Sequence, residues 1–122
     1  MTRRERQEHY DEALTDANEY LNLVKKDRDE SEIQRALITL GNIYTENARL
    51  NSKDKAYDIS KAERYYKEAL ECIPSNISNH QKVDMKGNCY LNLANLASLS
   101  GKKNHVRNIS TKLLCRILNR IK

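Results

Sequence analysis

Two half-motifs follow one another between Leu37 and Pro74, and they restrict what this chain folds into more than any other feature. The first is Leu37-x-x-Leu40-Gly41-x-x-Tyr44, and the second is Ala62-x-x-x-Tyr66-x-x-Ala69, closed by Pro74. Three- and four-residue spacing places each set on one face of a helix. Small residues at Gly41, Ala62 and Ala69 let a partner helix approach closely, and Tyr44 and Tyr66 fill the volume left over. The expected contact at Gly41 is with the backbone of the facing helix.

This alternation of small and large residues resembles the tetratricopeptide repeat, in which antiparallel helix pairs stack into an array. The resemblance implies an all-α fold, a tetratricopeptide-type α-α superhelix of about five helices in antiparallel pairs, right-handed and without strands. One departure stands out: Tyr44 and Ala62 are eighteen residues apart, about twice the separation in a standard 34-residue repeat. The extra residues, 46–58, are polar and contain Asn51-Ser52-Lys53-Asp54, so the expectation is a helix that overruns and then loops back.

In chain order, an apolar stripe of Tyr10, Ala13, Leu14, Ala17, Tyr20, Leu21 and Val24 predicts a first helix over 4–26. Ala13-x-x-x-Ala17-x-x-Tyr20 echoes the second helix of a repeat. Ser31 with Gln34, Ser60 with Glu63 and Ser78 with Gln81 each have capping-box spacing and predict the starts of helices two, three and four. Helix four carries Tyr90-x-x-Leu93-Ala94-x-x-Ala97, in register with the first half-motif, and is expected to stop near Gly101, with Gly87 weakening its middle. A fifth helix is expected over 104–121. The chain is thus read as one tetratricopeptide-like domain over 1–122. Residues 1–26 form the second helix of a partial repeat, 31–75 one long repeat with its insertion, and 78–122 a degenerate repeat. Such arrays need about three repeats to bury a continuous core, so the expectation is a segment of a longer array or a truncated gene product.

Composition excludes several function classes. The 122 residues suit one domain, and no window approaches a membrane span. No secretory signal opens the sequence, and Cys72, Cys89 and Cys115 lack paired spacing, so they are expected as reduced thiols between helices. On that expectation the sequons at Asn76 and Asn108 stay unmodified. His9, His80 and His105 stand apart, and no phosphate loop, nucleophile elbow or metal-binding pair occurs, so neither an enzyme nor a cofactor is expected. Paired carboxylates such as Asp29/Glu30 and Glu68/Glu71 fall on polar helix faces.

What remains is recognition. First helices of such repeats line a concave groove that holds a protein or peptide partner. The residues expected on that side are Arg35, Ile38, Asn42 and Thr45 on helix two, and Asn88, Leu91, Asn95 and Ser98 on helix four. Asn42 and Asn95 occupy equivalent places and both donate and accept, which suits them to an extended peptide backbone. The net charge of +5 is uneven: after Asp84 come eight basic residues and no acidic one. Lys112, Arg116 and Arg120 recur every four residues, an alternative contact for nucleic acid that would weaken steeply with salt. That helix holds no aromatic residue to stack a base.

Tyr10-Asp-Glu-Ala-Leu through Tyr20-Leu21, Glu32-Ile33-Gln34-Arg35-Ala36, Thr39-Leu40-Gly41, the long insertion, the Ala62-to-Leu70 helix and Tyr90-Leu91-Asn92-Leu93-Ala94 follow in an order that resembles the N-terminal repeats of Tonsoku-like proteins. The resemblance covers about residues 8–100 and is weakest after Gly101. It implies a nuclear, chromatin-associated scaffold of replication-fork and double-strand-break repair by homologous recombination, with an Mms22-like repair protein as partner. The family's ankyrin and leucine-rich repeats, and with them its histone reading, have no counterpart here. The motifs are shared with cell-polarity adaptors, which would instead imply a cytosolic setting.

Overall fold

A computed structural model of the protein describes residues 2–50 and 54–100. These form four α-helices, α1 (Arg3–Asp27), α2 (Glu30–Leu50), α3 (Lys55–Glu71) and α4 (Asn79–Leu99), with no strand among the described residues. The fifth helix expected over 104–121, with Lys112, Arg116 and Arg120, lies outside them.

Each helix begins where a short polar side chain can take up its free N–H groups. Thr2 caps α1 in a reciprocal box with Glu5, a start the sequence reading overlooked. Ser78 and Gln81 form the expected box at α4, which runs unbroken through Gly87. The other two expected boxes are not used. α1 ends with Arg28 in the left-handed region (φ 57°), its N–H on Lys25 O while Asp29 N–H reaches Val24 O. That closes a Schellman turn and leaves no slack before α2. Asp29 therefore caps α2, its carboxylate accepting from Glu32 N–H at 3.2 Å and its carbonyl from Ile33 N–H at 2.9 Å. Ser31 lies inside the helix, and Gln34 turns inward to 4% exposure.

The start of α3 moves likewise. Asp54 accepts from Tyr57 N–H at 3.1 Å and caps the helix, so Ser60 and Glu63 lie within it. The 46–58 insertion is consequently not a loop around a core hairpin. α2 overruns to Leu50 as expected, but α3 then begins at Lys55, and the extra residues lengthen both helices. Ala48 and Asp58 are buried in the extension, and Asn47 donates to Asp58 Oδ2 at 2.9 Å. This burial explains why helix wins over loop there: the added turns have each other to pack against.

The caps give a direct test. Asp29→Ala should lower stability by about 1 kcal/mol, while Ser31→Ala should change it by no more than a few tenths of a kcal/mol. Urea titrations of the two variants check this, and a larger loss at Ser31 would return the cap to that position.

Consecutive helices pack against one another, and their ends show the direction. Tyr10 near the start of α1 feels Glu46 and Arg49 near the end of α2, while Tyr20 bonds Glu32 across the turn. Along the α2–α3 pair, Asn47 meets Asp58 and Thr45 meets Tyr66, so that pair is antiparallel as well. Tyr20, counted in the apolar stripe, keeps its ring substantially in solvent because its hydroxyl serves Glu32.

The core is built on close approach. Ala17, Leu21 and Val24 of α1 join Ala36, Leu37 and Leu40 of α2, Ala69 of α3 and Cys89 of α4. A second cluster holds Ala62, Tyr66 and Leu96, and Ile38 packs against both. Ala62 and Ala69 are fully buried at helix contacts, as small residues there should be. Gly41 differs from expectation in what it admits. A Cβ there would lie 2.5 Å from Tyr66 Cε1 and 2.7 Å from Cδ1, so the missing side chain makes room for an aromatic ring.

Candidate functional site

The same packing brings α2 alongside α4. Gln34 Nε2 approaches Cys89 Sγ at 3.5 Å, both of them buried. Farther along, Asn42, Thr45, Glu46 and Arg49 share an open notch of about 330 Å³ with Tyr66, Asn92, Asn95 and Leu99. Positions later in α2 thus face positions later in α4, and the two helices run in the same direction. Asn42 and Asn95, equivalent in the sequence, both line that notch.

Of the residues expected on the groove side, Asn42, Thr45 and Asn95 come together in the notch. Asn88, Leu91 and Ser98 are exposed on α4 but do not line it, and neither does Arg35. The Arg35 guanidinium lies 3.5 Å from Glu32, three residues back on the same helix. Ile38 is half-buried against the two core clusters, and Thr45 is committed to the helix interface.

The floor of the notch is the Tyr66 hydroxyl. The residue is 1% exposed, its ring is pressed against Gly41, and its hydroxyl lies between Asn42 and Thr45 of α2. The phenol donates to Asn42 Oδ1 at 2.7 Å and lies 3.0 Å from Thr45 Oγ1, which also contacts the Gly41 carbonyl at 2.8 Å. Burial raises the Tyr66 pKa above the usual phenol range, with the Thr45 hydrogen bond opposing and Glu46 adding to the rise. The hydroxyl therefore stays protonated through neutral pH. At the rim, Arg49 donates to Glu46 at 2.7 Å, so the two formal charges answer each other.

Five of these residues, Glu46, Arg49, Tyr66, Asn92 and Leu99, escaped the sequence reading as site residues. Glu46 and Arg49 fell within the 46–58 insertion, and Tyr66 was read as volume alone. Asn92 had a visible signal, since it precedes Asn95 by three residues on the same helix.

The lining is amides, hydroxyls and one ion pair with Leu99 as its apolar side chain, a set that can hold a polar group. Cys89 sits outside the notch, fully buried, with burial pushing its thiol up to about 11 against a smaller opposing effect of Gln34. Among the described residues no cluster of His, Cys, Asp or Glu is placed to hold a metal ion, and no helix is long and apolar enough to cross a membrane. Comparisons with family models, with curated proteins and with solved structures find no match to this chain.

Proposed function

We propose that this chain is a non-enzymatic protein-binding module of the tetratricopeptide type, which holds an extended partner segment against α2 and α4. The observation that carries the reading is the pairing of Asn42 with Asn95. Residues that match in the repeated sequence pattern border one notch, on helices of the same direction. In a stacked array the first helix of each repeat takes that relation to the first helix of the next. The pattern of helix contacts agrees: α1 with α2, α2 with α3, α3 with α4, and α2 again with α4.

The setting we propose is nuclear, as part of a replication-coupled recombination repair scaffold whose partner is an Mms22-like protein. It is supported by the resemblance of residues 8–100 to Tonsoku-like repeats. A protein captured from nuclear extract on the full chain and identified by mass spectrometry is the test.

Asn95→Ala combined with Asn92→Ala should abolish that capture while leaving the melting temperature within about 2 °C, as for substitutions outside the core. Asn42→Ala should also weaken capture but lower stability by about 1 kcal/mol, because Tyr66 loses its acceptor. Capture that survives all three substitutions would move the binding surface away from the notch.

A further inference from the structure

We propose that the notch between α2 and α4 receives a lysine side chain of the partner, its ammonium held by Glu46 with Asn92 and Asn95 and its methylene stem laid along Leu99. The inference rests on the reading of the notch as part of a binding groove and adds the side chain which that groove takes.

The asparagines do not select the sign of a ligand. A carboxamide both donates and accepts, and neither Asn92 nor Asn95 has a hydrogen-bond partner among the described residues, so each is free to turn either end to a bound group. The selection falls to the two formal charges in the lining, and these are not equally committed. Arg49 Nη2 takes one carboxylate oxygen of Glu46, Oε2, at 2.7 Å. The other oxygen, Oε1, has no hydrogen-bond partner among the described residues, and the Glu46 side chain is 47% exposed.

The surroundings favour a cation on the α4 side of that carboxylate. Among the described residues α1 and α4 both pack on α2 but not on each other. Burial is the main cause of the raised Tyr10 and Tyr66 pKa values, and Glu46 adds to both, while Arg49 opposes the rise at Tyr10 on α1. The negative charge is thus felt at the floor of the notch, and the positive one toward α1. α4 also ends at Leu99, beside the notch, with no basic residue in its last turn. The partial negative charge of its final carbonyls is therefore not offset by a side chain of that turn.

One open oxygen distinguishes lysine from arginine. A guanidinium binds a carboxylate best through two parallel hydrogen bonds, which need both oxygens, and Arg49 already holds one of them. An ammonium is compact and carries three donors, so one carboxylate oxygen and two amide oxygens complete it. Asn92, Asn95 and Leu99 follow at three- and four-residue spacing on one face of α4, all bordering the notch. Leu99 supplies the apolar surface along which a lysine stem packs while its charged head reaches polar groups.

The test follows the Asn92 and Asn95 side-chain amide resonances of the ¹⁵N-labelled full chain. The probes are acetyl-Gly-Lys-Gly-amide and its counterparts with arginine or Nε-acetyllysine at the centre. Asn18, exposed on α1 next to Glu19, reports ammonium binding to acidic surface in general. The lysine peptide is expected to shift Asn92 and Asn95 to saturation. The arginine peptide should bind roughly threefold to fivefold more weakly, and the acetyllysine peptide should leave both signals in place. Glu46→Gln should weaken the lysine response by a similar factor. Arg49→Met frees Oε2, so the arginine peptide should then bind at least as tightly as the lysine peptide. The proposal is overturned if the lysine peptide gives no response, if acetyllysine matches it, or if Asn18 responds as strongly as Asn92 and Asn95. A preference for arginine in the native chain, or a preference for lysine unchanged in Arg49→Met, overturns it as well. Partner capture stays independent: capture lost in Asn92→Ala/Asn95→Ala together with a failed peptide test would retain the groove and discard the lysine.

Discussion

Tyr66→Ala is expected to lower the unfolding free energy by about 3–5 kcal/mol, the range for removing a buried large aromatic ring. The ring is the largest fully buried side chain among the described residues, and it carries contacts from α2, α3 and α4 together. Domains of this size are stable by about 5–15 kcal/mol, so the loss takes a large share of the total. Tyr66→Phe should cost only about 1 kcal/mol, from the hydroxyl's bonds to Asn42 and Thr45. Urea unfolding followed by circular dichroism separates the two. Equal losses in the two variants would mean that the hydroxyl, rather than the ring, holds the helices together.

The second large effect is at Gly41, where alanine should act in opposite directions in two backgrounds. In the native chain a Cβ would meet the Tyr66 ring at 2.5 Å, closer than real side-chain contacts allow, and the ring is walled in on its far side. Overpacking of this kind costs about 1–3 kcal/mol, against a helix-propensity gain of about 1 kcal/mol for replacing a mid-helix glycine. Gly41→Ala should therefore destabilise by about 1 kcal/mol net, and Gly41→Val, with more to accommodate and no such gain, by about 3 kcal/mol. When Tyr66 is alanine the clash has no partner, and Gly41→Ala should instead stabilise by about 0.5–1 kcal/mol. Tyr66→Leu provides the same relief of the ring edge in a better-packed background. A double-mutant cycle reads the reversal, and additive effects at the two positions would refute the ring-over-glycine contact.

The number of helices over residues 2–100 and the partnership of small with large residues were legible in the sequence. They depend on spacing within a helix, which a sequence states directly: Ala62, Tyr66 and Ala69 share a face because residues three and four apart must. The α4 start was legible for the same reason, since Ser78 and Gln81 satisfy each other locally. Helix starts at Ser31 and Ser60 had equally good local credentials, yet lost to Asp29 and Asp54. Local capping signals do not rank themselves. The Schellman turn at Arg28 required α2 to begin at once, and burial of Ala48 and Asp58 made two longer helices better than a loop.

Tertiary structure alone decided the notch. Periodicity marked Asn42 and Asn95 as equivalent, but it said nothing of the rotation and depth at which α4 docks beside α2, which sets whether Arg35 or Arg49 borders the shared space. Nor did it reveal that Tyr66, read from its spacing as a filler of volume, would deliver a hydroxyl between Asn42 and Thr45. Spacing along a helix assigns a residue to a face, whereas the partner of each polar atom depends on contacts between helices that lie twenty or more residues apart. The sequence by itself determined which surfaces must meet; only their packing decided which polar atoms were used up there and which were left open at the notch.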